Sequence, residues 1–140
     1  MLAYPAHWFT PEDWLTFIEL PSFTRRWQQN KLGDLNLSGL QAAIMAKPTM
    51  APVIPGTGGV RKLRFAPIDS DRGKSGGLRV CYLYVEEVAT VILAIVYPKN
   101  EKDDLSNADK ALLRDAVERV KRLLLSRPYR ATPRSSAEDR

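Results

Sequence analysis

The run from Thr90 to Tyr97 constrains the fold more than any other stretch of this chain. It reads Thr-Val-Ile-Leu-Ala-Ile-Val-Tyr, and Pro98 closes it. A strand with one wet face alternates apolar and polar residues, and this one does not. It is therefore expected to be the central strand of a sheet, covered on both faces. The apolar run counted from Val88 is also far short of the ~20 residues that a membrane-spanning helix requires.

The rest of the chain arranges itself around that strand. Trp14 to Leu20 reads as a first strand, with Trp14, Thr16, Ile18 and Leu20 on one face and Leu15, Phe17 and Glu19 on the other. Pro21-Ser22 can open a helix over Ser22 to Gln29, with the serine as its cap and an end near Gly33. A second helix from about Asn36 to Ala46 places Leu37, Leu40 and Ile44 on one stripe, and Pro48 stops it. The Pro- and Gly-rich segment Pro48 to Gly59 is a loop, after which Val60–Phe65 and Leu78–Glu86 read as strands. A last helix begins at Ser106, with Asp109 in capping-box position. Its expected apolar stripe is Ala108, Leu112, Ala116, Val120 and Leu124. The order strand, two helices, three strands, helix predicts an α+β domain: a small antiparallel sheet with the helices gathered on one face. The domain should span residues 1–126. From Arg127 to Arg140 the composition turns polar, and that tail is expected to be disordered.

At 140 residues, with 44% hydrophobic and 26% charged, the chain suits one soluble domain with a proper core. Its single cysteine, Cys81, excludes an internal disulfide, and with a single histidine, His7, a structural metal site is not expected. Cys81 reads as a small buried residue and His7 as a packing or exposed one. No basic leader precedes the N-terminal apolar residues, so a cytoplasmic protein without a membrane partner is expected.

Charge is distributed unevenly. Between Val60 and Arg79 stand six cations, Arg61, Lys62, Arg64, Arg72, Lys74 and Arg79, against Asp69 and Asp71. That net of +4 is most of the chain's +5. Lys99 follows the central strand, and Tyr82, Tyr84 and Tyr97 lie on the strands between. Cations bunched on adjacent strands point to a polyanionic partner, with the tyrosines available for stacking or phosphate contact. Gly73-Lys74-Ser75 is not a nucleotide phosphate loop: Ile68 stands where the first glycine is needed, and a strand follows where a helix should.

Three motifs together resemble a known family. They are Gly-Thr-Gly-Gly-Val-Arg-Lys-Leu-Arg-Phe (Gly56 to Phe65), Gly-Lys-Ser-Gly-Gly-Leu-Arg-Val (Gly73 to Val80) and Tyr-Pro-Lys-Asn-Glu (Tyr97 to Glu101). In order and spacing they are similar to the HigB-type branch of the RelE/ParE toxin superfamily. The resemblance runs from about Phe17 to Leu125 and is strongest from Ile54 to Leu105. It implies a RelE-like toxin fold and the toxin of a type II toxin–antitoxin system, an endoribonuclease that cuts mRNA in the ribosomal A site. It also implies a cognate antitoxin, often a helix-turn-helix protein, and no cofactor. The implied active-site residues are Arg61, Arg64, Lys74, Arg79 and Lys99, with Tyr82 and Tyr97 as helpers. Lys62 and Arg72 are left to RNA binding. Two other readings remain open: a ParE-like inhibitor of DNA gyrase on the same scaffold, and a non-catalytic RNA- or ribosome-binding module.

The chemistry such a cluster supports follows without the family. RNA carries its own nucleophile, the 2′-hydroxyl. Arginine matches phosphate oxygens two at a time, and a lysine crowded by cations becomes a better base than a free one. Lys74 or Lys99 is then the candidate base, and Arg79 or Arg64 the phosphate clamp, with no metal required.

Overall fold

The computed structural model describes residues 14–68, 77–101 and 104–126. His7, Arg72, Lys74 and the expected polar tail lie outside them. Four strands and three helices follow in the order β1 (Thr16–Glu19), α1 (Pro21–Gln29), α2 (Asp34–Ala46), β2 (Arg61–Phe65), β3 (Leu78–Val85), β4 (Thr90–Pro98) and α3 (Asn107–Leu125). The α+β plan is the expected one, and β4 is indeed central: the sheet order is β1-β4-β3-β2.

Two expectations are corrected. The sheet is mixed, because β1 lies parallel to β4 while β4–β3 and β3–β2 are antiparallel. The return from β1 to β4 passes through both first helices, β2 and β3, and so brings β4 back in the same direction. The helices also do not share one face. Phe23, Trp27, Leu40 and Ile44 of α1 and α2 pack against Leu78, Val80, Tyr82, Val91 and Leu93. On the opposite face, Leu113, Val117 and Leu124 of α3 pack against Cys81, Leu83, Ile92 and Tyr97. A strand as apolar as β4 requires this double cover, since either face left open would expose it to water.

Local sequence explains most element ends. Pro21 occupies the first turn of α1, where its missing N–H costs nothing. Ser22 does not cap that helix; its hydroxyl donates instead to the Ala94 carbonyl at 2.7 Å. Helix α1 ends at Gln29, and Gly33 becomes the N-cap of α2. In α3 the capping box forms fully: Asp109 N–H donates to Ser106 Oγ at 3.0 Å, and Ser106 N–H to Asp109 Oδ2 at 3.3 Å. Its buried stripe is Leu113, Val117 and Leu124, with Val120 beside them, and Leu112 is 71% exposed. A strict spacing of four drifts by roughly 40° per step on a 3.6-residue helix, so the expected set could not stay on one face. Alternating steps of four and three do. At the start of β3, Gly77 has φ +69°, and a Cβ there would sit 2.9 Å from the Phe65 carbonyl oxygen. Only glycine fits.

One irregularity sets the geometry at the C-terminal end of β4. Cys81 pairs with Ile95, but Tyr82 pairs with Leu93, so Ala94 is an extra residue in β4. Ala94 and the following Ile95 both pack on the α3 side, and the alternation beyond them is inverted. Val96 therefore faces α1 and α2, and Tyr97 faces α3.

Candidate active site

Alternation along β2 divides its cations between the two faces of the sheet. Arg61 pairs with Tyr82 on the α1/α2 side. Its Nη1 donates to the carbonyls of Thr49 at 2.9 Å and Ala51 at 2.8 Å, while Tyr82 donates its hydroxyl to Pro48 at 2.8 Å. Both side chains thus hold the chain leaving α2.

On the other face the cations converge. Lys62, Arg64, Arg79 and Lys99 line one open cleft of about 530 Å³ with Ala51, Pro52, Leu63 and Asp104. The strand register accounts for this. Arg64 lies directly opposite Arg79, and Arg79 opposite Tyr97. Like charges set across a ladder destabilise a sheet, so an Arg–Arg pair is a poor structural device and a good anion clamp. Arg79 is 5% exposed, and the apolar surroundings of β3 hold its stem. Arg64 and Lys99 are exposed. Among the described residues Asp104 is the one carboxylate in the cleft lining, and it accepts from Lys62 Nζ at 3.2 Å.

Lys99 sits on a turn fixed at both ends. Its own N–H donates to the Gly77 carbonyl at 3.2 Å, and Glu101 N–H donates to Pro98 at 3.1 Å. Glu101 also makes a two-pronged ion pair with Arg26 of α1, in which Nη1 lies 2.9 Å from Oε1. The turn carrying the lysine is thereby tied to a helix on the opposite side of the sheet.

The tyrosines are set back from the cleft surface. Tyr97 is fully buried beside Cys81, and its pKa is raised, first by burial and then by the Cys81 sulfur, with Arg79 pulling the other way. Tyr82 is also raised by burial, partly offset by Arg61. Both phenols stay protonated at neutral pH, which leaves them able to donate a hydrogen bond and unable to act as bases.

Of the residues expected at the site, Arg64, Arg79, Lys99 and Lys62 come together, and Tyr97 lies beneath them. Arg61 and Tyr82 are on the far face. Lys74 and Arg72 are outside the described residues. Asp104 had no signal in the sequence, because its meeting with Lys62 depends on a contact 42 residues apart.

No family model matches the chain. Among solved structures, it is similar to a double-arginine mutant of the E. coli toxin RelE in the free state. That likeness is 17% identical, covers 71% of this chain and 96% of the other, and has a TM-score of 0.48. It is also similar to a chain of the intact E. coli RelBE toxin–antitoxin complex, at 18% identity, 59% and 94% coverage and a TM-score of 0.44.

Proposed function

We propose that the cleft is the catalytic site of a ribosome-dependent mRNA endoribonuclease, the toxin of a toxin–antitoxin pair. One observation carries this reading: four cations from two strands and a turn share one cleft with a single carboxylate among the described residues, and two of them face each other across a ladder. The three-motif resemblance in the sequence supports the same reading and adds the cognate antitoxin, the ribosomal A site and a cytoplasmic location. Among the described residues no helix is long and apolar enough to cross a membrane.

In this mechanism Arg64 and Arg79 hold the scissile phosphate. The substrate's 2′-hydroxyl attacks phosphorus and passes its proton to a base, for which Lys99 is the described candidate and Lys74 the other. The 5′-oxygen leaves with a proton from a second cleft group. The arginines stabilise the extra negative charge of the phosphorane, as preorganised donors do in an anion hole. Tyr97 can support Arg79 from below.

Cleavage in a translating extract is the test. It should leave a 2′,3′-cyclic phosphate (or its opened form) on one fragment and a 5′-hydroxyl on the other. A deoxyribose at the scissile nucleotide should stop the reaction while binding persists. Equal cutting of the deoxy substrate, or a 5′-phosphate product, would make water the nucleophile and overturn the mechanism. Normal growth and normal amino-acid incorporation under strong induction would overturn the toxin reading.

A further inference from the structure

The cationic cleft does not end at Lys62. A second hollow of about 360 Å³ shares Pro52, Lys62 and Asp104 with it and runs toward α3. Its wall is apolar, made by Pro52, Ile54, Pro55 and Leu105, and its far side carries a further cation, Lys110. No motif in the sequence singles out Lys110, which sits one residue past the capping box of α3.

The wall is rigid for reasons already visible. Arg61 and Tyr82 hold the chain at Pro48, Thr49 and Ala51 from the opposite face. Lys62 N–H donates to the Pro52 carbonyl at 3.0 Å, and Ile54 N–H to Val60 at 2.8 Å. The buried Thr57 hydroxyl donates to the Ile54 carbonyl at 2.6 Å and accepts from Val60 N–H at 3.1 Å. Seven hydrogen bonds thus fix a proline-faced shelf that would otherwise be a loose loop. A preformed apolar shelf between two lysines matches one repeat of single-stranded nucleic acid: a base with a flat apolar face, and phosphates on either side of it.

We propose that this hollow is a nucleotide subsite next to the scissile phosphate, in which a base packs on the Pro52–Pro55 shelf and its far phosphate meets Lys110. The proposal rests on the RNA reading of the cleft. Lys62, common to both hollows, contacts the phosphate between them, and Asp104 holds Lys62 at that junction. The shelf then sets how many nucleotides the protein grips, independently of the groups that carry out cleavage.

The test is binding of two uncleavable probes, a 2′-O-methyl dinucleotide and a 2′-O-methyl hexanucleotide, measured over a range of salt. Wild type should bind the hexanucleotide more tightly. Lys110→Ala should flatten its log–log salt slope by roughly 0.7, the value for one phosphate contact on a single strand. The same variant should leave the dinucleotide unchanged. Pro55→Asp, an exposed position, should weaken only the hexanucleotide as well. If Lys110→Ala and Pro55→Asp both bind the hexanucleotide as wild type does while Arg79→Ala loses both probes, the subsite is wrong and the RNA reading stands. If wild type binds neither probe in a salt-dependent way, the RNA reading falls and the subsite with it.

Discussion

Arg61 and Arg64 belong to the same five-residue strand and have opposite fates. Arg61 is consumed by two carbonyls of the preceding loop, on the face that carries α1 and α2. Arg64 stands exposed in a cleft, opposite a second arginine, on the face that carries α3. The same division separates Tyr82, bonded to Pro48, from Tyr97, buried under the cationic cluster. The comparison teaches that residue type does not distinguish a cation spent on the fold from one left open to a ligand. What distinguishes them is whether the folded chain has already supplied the guanidinium with acceptors.

The sharpest way to break this comparison is a set of three alanine variants read on two axes. Arg79→Ala should lose on the order of 10²–10³ in cleavage rate, the effect of removing one preorganised donor. Arg64→Ala should lose activity in the same direction and, being exposed, should melt like wild type. Arg61→Ala should do the reverse, losing on the order of 1.5–3 kcal/mol of stability for hydrogen bonds made by a charged group, with cleavage retained by the folded fraction. Thermal melts and cleavage assays on the three proteins decide it. A fully stable but inactive Arg61→Ala would place that residue back in the site.

Tyr82→Phe sharpens the same contrast at a smaller scale. It should cost about 0.5–1.5 kcal/mol for one hydrogen bond to Pro48 and leave the salt dependence of RNA binding unchanged. A change in the salt slope would mean that the two faces are not independent.

Tyr97 gives a pH test of its burial. Its folded pKa lies above the unfolded value near 10, so it favours the folded state fully below pH 10, and that contribution is lost as pH rises from there toward the folded pKa. Each pH unit inside that window should remove about 1.4 kcal/mol, and Tyr97→Phe should flatten this part of the alkaline unfolding profile. An identical profile in the variant would mean that the phenol is not shielded.

The smallest effect belongs to Arg26 and Glu101. Both are partly exposed, so Glu101→Gln should change stability by no more than about 1 kcal/mol. Its larger consequence should be in the turn that holds Lys99, visible as a lowered cleavage rate that the charge-reversed pair Arg26→Glu with Glu101→Arg partly restores. Unchanged activity in Glu101→Gln would free Lys99 from any dependence on α1.

Much of this was legible in the residues alone. The unbroken apolar run Thr90–Tyr97 required a central strand, and it is one. Ser106 with Asp109 announced a capped helix, since a capping box is made by groups three residues apart. The bunching of cations around β2 and β3 announced a cationic cleft, because the two strands are adjacent and three of its lining cations lie on them. Less was legible wherever the deciding partner is remote. The α3 stripe depended on which of two leucine-bearing faces met the sheet, and Leu113, not Leu112, did.

Local sequence thus determined the elements, their ends and the presence of a cationic cluster, because propensity, capping and alternation act over a few residues. Which cations would share a cleft was a tertiary decision. A strict two-residue alternation carried along β4 from Leu93 would put Tyr97 with Arg61 and Tyr82 on the α1/α2 face. The extra residue at Ala94, whose carbonyl accepts from Ser22, inverts that alternation. It delivers Tyr97 to the α3 face, opposite Arg79 and set back from the cleft surface. A bulge is chosen by the fit of one strand against its neighbours and the helix above it, and no pattern within the strand itself records that fit.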